Sequence, residues 1–211
     1  MSDEAKIVFP GDCEHCDILS IILPKPIIKK VSFLTIGPEY FPKLHDVIIG
    51  VVSQKTTDAY LLDINYSSPA LLPFNAFSRA TKQHYPKLKQ GDVVMCGVSF
   101  CVNKLQLQVS CCTSGESVGW DTGETYLGPL ENGVLKYIGL INCKMLLSEN
   151  CTILFLLTKR FEFTLSIGMN GYIYVTAPTL FKIKEIVYLI ETGLKFESLK
   201  QLTAFMDDYF S

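Results

Sequence analysis

Leu105-Gln106-Leu107-Gln108-Val109-Ser110-Cys111 alternates apolar and polar residues at every position. Successive side chains of a strand point to opposite faces, so Leu105, Leu107, Val109 and Cys111 share one face. Just before it, Asp92–Phe100 (DVVMCGVSF) is rich in β-branched residues and reads as another strand. Upstream stand Asp46–Ser53 (DVIIGVVS), Ala59–Ile64 with alternating Tyr60, Leu62 and Ile64, and the short Ala70–Leu72. A polar stretch from Asn75 to Gln90 separates the third strand from the fourth. Five short strands in about 70 residues, with the long connection between the third and fourth, fit an OB-type five-stranded barrel.

The texture changes on both sides of this segment. Residues 1–43 hold short apolar runs broken by Pro10, Pro24, Pro26, Pro38 and Pro42, which reads as a strand-rich arm too small for much core of its own. Ser114–Gly133, with five glycines and Pro129, is a linker by composition. Trp120, the single tryptophan, is expected to anchor it to a neighbouring domain. From Val134 the pattern is α+β. Val134–Ile138 is strand-like, and Leu140–Leu147 and Cys151–Leu157 read as two short helices or one broken helix. Phe161–Ile167 and Tyr172–Thr176 alternate as strands. Between these strands, Gly168-Met169-Asn170-Gly171 predicts a hairpin whose Asn-Gly positions both want positive φ. Pro178–Glu191 is expected to be a helix opening at its proline, with Leu180, Ile183, Val187 and Ile190 inward and Gly193 as its stop. Phe196, Leu199, Leu202, Met206 and Tyr209 trace one face of a last helix.

The chain has 211 residues, 48% of them apolar, and a net charge of −2, so most of it can bury a core. A wholly basic nucleic-acid binder is excluded, and any such contact must come from a local patch. No apolar run approaches the roughly 20 residues of a membrane span. Met1–Lys6 lacks a secretory signature, which points to the cytosol or nucleus. Eight cysteines in a reducing compartment are expected as free thiols, with Cys96, Cys111, Cys143 and Cys151 in apolar surroundings. Cys13-Glu14-His15-Cys16 has half the spacing of a zinc site, but no second Cys-x-x-Cys pair exists, so a surface turn is the expectation and no metal is assigned.

The catalytic inventory is thin. His15, His45 and His84 lie in no nucleophile or metalloprotease motif, and no phosphate-binding loop or dinucleotide fingerprint occurs. No catalytic residue, cofactor, small-molecule substrate or membrane partner is expected. Charge is more informative. Residues 44–113 carry six basic and four acidic residues, whereas 114–211 carry eight and eleven. Within Asn75–Gly91, Arg79, Lys82, Lys87 and Lys89 occur without an acid, and His84 and Tyr85 are interleaved. Such a connection on an OB-type barrel suits a nucleic-acid backbone, with His or Tyr as a stacking surface, or is simply a solvated loop. Gly168 and Gly171 have the Gly-x-x-Gly spacing of a nucleotide clamp. A clamping loop joins two helices, however, and these sit between strands, so Gly168, Asn170 and Gly171 read as a structural turn.

Val8-Phe9-Pro10-Gly11-Asp12, Tyr40-Phe41-Pro42 followed by Asp46–Val52, Ala76-Phe77, Ala80-Thr81-Lys82, Pro86-x-Leu88-x-x-Gly91-Asp92 and Gly168–Val175 occur in this order. Together they resemble the S1–KH cap subunits of the RNA exosome, and within that family its component-three branch. The resemblance implies a fold class of β plus α+β: an N-terminal strand-rich arm over 1–43, an S1-type OB barrel over 44–113, and a linker with a KH-like α+β domain over 114–211. It implies a non-catalytic subunit that stabilises a ring of RNase PH-like subunits alongside other cap subunits. It would guide single-stranded RNA into the channel, in the nucleus, nucleolus and cytoplasm. The RNA-contacting residues would be Arg79, Lys82, His84, Tyr85, Lys87 and Lys89. Gln83, His84 and Tyr85 stand where the family is richer in arginine, so the electrostatic attraction is expected to be modest.

Overall fold

The computed structural model describes residues 39–81, 84–101, 106–112, 126–148, 151–196 and 199–210. Residues 1–38, most of the arm with Cys13 and Cys16, and also Lys82, Leu105 and Trp120, lie outside them. The described residues fall in one compact unit, Pro38–Ser211.

Nine strands and four helices are described: β1 Val47–Lys55, β2 Ala59–Asp63, β3 Ala70–Pro73, β4 Val93–Phe100, β5 Leu107–Ser110, β6 Gly128–Leu130, β7 Gly133–Tyr137, α1 Leu140–Leu146, α2 Thr152–Thr158, β8 Thr164–Ile167, β9 Tyr172–Thr176, α3 Leu180–Gly193 and α4 Leu199–Tyr209. The first five strands close a barrel in the order β1-β2-β3-β5-β4, with β4 returning to β1. Four of the five pairings are antiparallel; β3 and β5 run parallel, Ala70 opposite Leu107. Closure removes the edges that an open sheet of these apolar strands would expose. Ile48, Leu62, Leu72, Val94, Leu107 and Val109 are all buried in the barrel, Leu62, Leu107 and Val109 as their alternation predicts. Each contributes about 1.5–3 kcal/mol by leaving water.

β6 extends the barrel sheet, pairing with β4 from Val93 opposite Leu130 to Met95 opposite Gly128. Composition reads these residues as linker; a Pro-containing strand is tolerated here because β6 is an edge. β7, β9 and β8 form a second, antiparallel sheet in that order. Its central strand faces two cores at once. Tyr172 and Tyr174 of β9 pack on the barrel, while Ile173 and Val175 pack with Leu157, Ile186 and Ile190 of the helices. The period-two alternation of YIYVT thus separates aromatic from aliphatic packing.

Several local expectations need correction. Helix α3 begins after Pro178: Thr179 is the N-cap, its hydroxyl accepting from Lys182 N at 3.4 Å. A side-chain oxygen one residue after the proline satisfies an orphan N–H that proline cannot. Leu180 is consequently exposed, and Ile186 and Leu189 join Ile183, Val187 and Ile190 inside. Gly193 is the last helical residue, not a stop beyond it; Leu194 caps in the right-handed region. Its missing side chain serves packing, since a Cβ there would strike Ile153. The strand expected from Phe161 starts only at Thr164, because Phe161 N still bonds Leu157 O at 2.9 Å at the end of α2. Tyr209 is 42% exposed rather than inward. In the hairpin, Gly171 alone has positive φ (89°), and Asn170 does not. Gly171 N bonds Gly168 O at 3.2 Å, which makes a turn followed by a left-handed glycine.

Cys96, Cys111 and Cys143 are free and buried, Cys151 is half-buried, and Cys101 and Cys112 are exposed. Burial pushes the Cys96 and Cys143 thiols up to about 12 and that of Cys111 well above its ordinary value. Because the thiolate is the nucleophile, these three are inert at neutral pH. Brief alkylation of the native protein at pH 8, mapped by mass spectrometry, should label Cys101 and Cys112 and spare Cys96, Cys111 and Cys143. Equal labelling of all five would show that both the barrel core, with Cys96 and Cys111, and the helical core, with Cys143, are open.

Candidate RNA interface

The polar connection between β3 and β4 is tied to the barrel at several points. Phe77, 1% exposed, bridges to Cys111, and Cys111 N donates to Ala76 O at 2.7 Å. Ala80 N then donates to Phe77 O at 3.0 Å, closing a turn that holds Arg79 at φ 59°. A left-handed arginine is unusual; Arg79 is exposed, whereas Phe77 two residues before it is buried. Next, Thr81 N donates to His84 O at 2.8 Å while His84 N donates to the Thr81 hydroxyl at 3.1 Å.

Tyr60 clasps the second half of the connection. Its hydroxyl donates to Pro86 O at 2.7 Å and accepts from Leu88 N at 3.1 Å. Burial raises the affinity of that hydroxyl for its proton. Leu88 is drawn inward, so Lys87 and Lys89 on either side point outward. Lys89 and Asp92 close a further turn: Lys89 N donates to the Asp92 carboxylate at 2.7 Å and Asp92 N to Lys89 O at 3.2 Å, with Gly91 at φ 93° between them. Gly91 N and Asp92 O then pair with Val52. Arg79, Lys87 and Lys89 are exposed and make no ion pair with a described residue.

Five of the six expected contacts are described, Lys82 lying outside the described residues. Lys87 borders a cleft of about 550 Å³ at the junction with the second sheet, shared with Pro129, Glu131, Gly133 and Tyr174. Arg79 does not line that cleft; it lies two residues beyond the Phe77–Cys111 bridge in sequence. Tyr85 is half-buried and stacks on Phe74, centroids 4.5 Å apart and planes within 3°. One of its faces is therefore taken. Lys55, outside the basic connection and so missed by a scan of that segment, joins this pair: its ammonium lies 5.4 Å from the Phe74 centroid and 5.8 Å from those of Tyr60 and Tyr85. Only the pairing of Lys55 opposite Tyr60 at the end of the β1–β2 hairpin brings it there.

The Gly168–Gly171 turn faces protein. Asn170 is fully buried; its amide nitrogen donates to Ile49 O at 2.7 Å and Ile64 O at 2.9 Å, and its oxygen accepts from Ile49 N at 3.2 Å. Met169 N adds a bond to Val47 O at 2.8 Å.

A closed five-stranded barrel in this order, with a long basic connection on its rim and a second α+β layer, defines an S1-type OB-fold protein. Residues 40–120 match the family model for the S1 domain of exosome complex component RRP40. Residues 40–120 are therefore similar to that S1 family, in line with Tyr40-Phe41-Pro42 and Pro86-x-Leu88-x-x-Gly91-Asp92. The chain is 32% identical over 150 residues to exosome complex component RRP40 of Drosophila melanogaster, covering 71% of this chain and 61% of that protein. To the Saccharomyces cerevisiae RRP40 it is 32% identical over 143 residues, covering 67% and 58%. It thus spans less than two thirds of these relatives. A solved structure provisionally described as an exosome complex RNA-binding protein superposes with a TM-score of 0.60 at 19% identity, covering 80% of this chain and 95% of that one, which establishes likeness of fold.

Proposed function

We propose that this chain is a non-catalytic cap subunit of the RNA exosome. Its S1 barrel guides single-stranded RNA toward the channel, and its other parts hold RNase PH-like ring subunits and neighbouring cap subunits. The arm (1–43), barrel (44–113) and linker with KH-like domain (114–211) divide these tasks, and the complex works in nucleus, nucleolus and cytoplasm. The observation that carries the reading is an RRP40-type S1 barrel whose rim presents Arg79, Lys87 and Lys89 to solvent without ion pairs to described residues. Lys82 and His84 belong to the same rim by sequence. The chain needs no cofactor for this role. A single-stranded phosphate contact changes the slope of log K against log salt by about 0.7, so each is worth about fivefold in affinity near 0.1 M salt.

Native purification at gentle salt should recover RNase PH-like ring subunits in near-equal amounts. Recovery of the chain alone, or with ribosomal RNA, would favour a free-standing S1-type RNA-binding factor. In the reconstituted complex, Arg79→Glu with Lys82→Glu and Lys89→Glu should shorten RNA protection and lower the salt dependence of decay without unfolding the chain. Unchanged protection would remove the RNA-guiding role.

A further inference from the structure

Lys55 stands outside every group of residues assigned above to RNA. It ends β1, pairs with Tyr60, and is fixed by a tight hairpin in which Thr56 N and the Thr56 hydroxyl both donate to Ala59 O at 2.8 Å. Its ammonium rests among three rings at 5.4–5.8 Å, within the range of cation–π attraction. The rings are themselves ordered: Phe74 and Tyr85 stack, Tyr60 meets Phe74 edge-on at 4.8 Å and 61°, and the Tyr60 hydroxyl clasps Pro86 and Leu88. The lysine is thereby tethered at the root of the segment carrying Lys87 and Lys89. No described carboxylate pairs with it, Asp58 of the same hairpin included. A ring attracts the charge but accepts no ordinary hydrogen bond, so the three N–H donors of the ammonium keep their demand for oxygen acceptors. A flexible lysine loses rotamer freedom when it binds a phosphate, and this one has lost much of it already.

We propose that Lys55 is a phosphate anchor for single-stranded RNA, and that Tyr85 serves as its support and not as a base-stacking platform. This deepens the RNA-guiding role above and rests on it. The ligand group is the phosphodiester, which the ammonium reads by charge and not by base.

The test uses the full chain and a labelled oligouridine of roughly 12 nucleotides, within the site size of OB folds, titrated by fluorescence anisotropy across a salt series. Lys55→Met should weaken binding about fivefold near 0.1 M salt and reduce the salt slope by about 0.7, with an unchanged thermal midpoint. Lys55→Arg should restore both, because guanidinium also sits on rings and binds phosphate. Tyr85→Phe, which keeps the stack, should bind like the parent. If Lys55→Met keeps the parent slope and affinity while Arg79→Glu with Lys89→Glu loses both, the anchor is refuted and the RNA-guiding role stands. A fivefold loss in Lys55→Met that Lys55→Arg fails to restore, or a loss in Tyr85→Phe, also overturns the proposal. A parent chain without salt-dependent oligouridine binding sinks both readings.

Discussion

Replacing Asn170 by leucine should destabilise the protein by about 3–5 kcal/mol and lower the thermal midpoint by roughly 10 °C. The β1–β2 ladder ends at Val51 opposite Asp63, so the outward N–H and C=O of Ile49 have no strand partner. The Asn170 amide takes the place of that strand, accepting from Ile49 N and donating to the carbonyls of Ile49 and Ile64. Leucine has similar volume but abandons all three groups in a fully buried place, where each costs about 1–3 kcal/mol. Asn170→Asp is the sharper variant, because a carboxylate cannot donate to two carbonyls. Its buried carboxyl would titrate above the unfolded value of about 3.9. The folded state then holds the proton to higher pH than the unfolded state, so stability falls as pH rises through that window. Thermal melts at pH 4 and pH 8 check this: a larger deficit at pH 8 is expected for Asn170→Asp, and a pH-independent one for Asn170→Leu. A leucine variant as stable as the parent would show that the barrel edge closes without the turn.

Gly133→Ala should cost about 2–4 kcal/mol by overpacking, although alanine normally suits a strand better than glycine. A Cβ at Gly133 would stand 2.6 Å from Val175 O and 2.7 Å from the Thr176 hydroxyl, and would run into the Tyr174 ring. Two of these obstacles cannot swing aside, since Val175 O is backbone and Tyr174 is held at its hydroxyl. That hydroxyl accepts from Gly133 N at 2.8 Å and donates to Leu130 O at 3.2 Å, linking β6, β7 and β9. The start of β7 would have to leave β9. Chemical denaturation and amide exchange report on this together: reduced stability with lost protection at Val134 and Val175 is expected. A neutral or stabilising outcome would mean that the close approach is unimportant.

The apolar, β-branched runs DVIIGVVS and DVVMCGVSF and the alternation of LQLQVSC are enough to name the barrel strands, because β propensity and period two are local consequences of side-chain shape and backbone geometry. The basic segment from Arg79 to Lys89 is legible for the same reason: charge composition needs no partner to be counted. Gly168-Met169-Asn170-Gly171 is legible as a turn between two strands. That its asparagine would complete the edge of β1 is not, because its one donor and two acceptors lie 106 and 121 residues away in sequence. Gly193 and Gly133 look like a stop and a linker residue for a similar reason. Glycine near an element end commonly serves the chain's turn, and only the approach of Ile153 or Tyr174 shows that room is what is needed.

Sequence alone therefore determined the strands of the barrel, the α+β character of the C-terminal region and the basic rim, all of which rest on interactions between near neighbours. The tertiary structure decided which side chains the rim can use. It committed one face of Tyr85 to Phe74, set Lys87 at the junction cleft, and brought Lys55 from another strand beside three rings. These outcomes depend on barrel closure, which sets distant residues side by side. The order of residues along the chain carries no direct record of that distance.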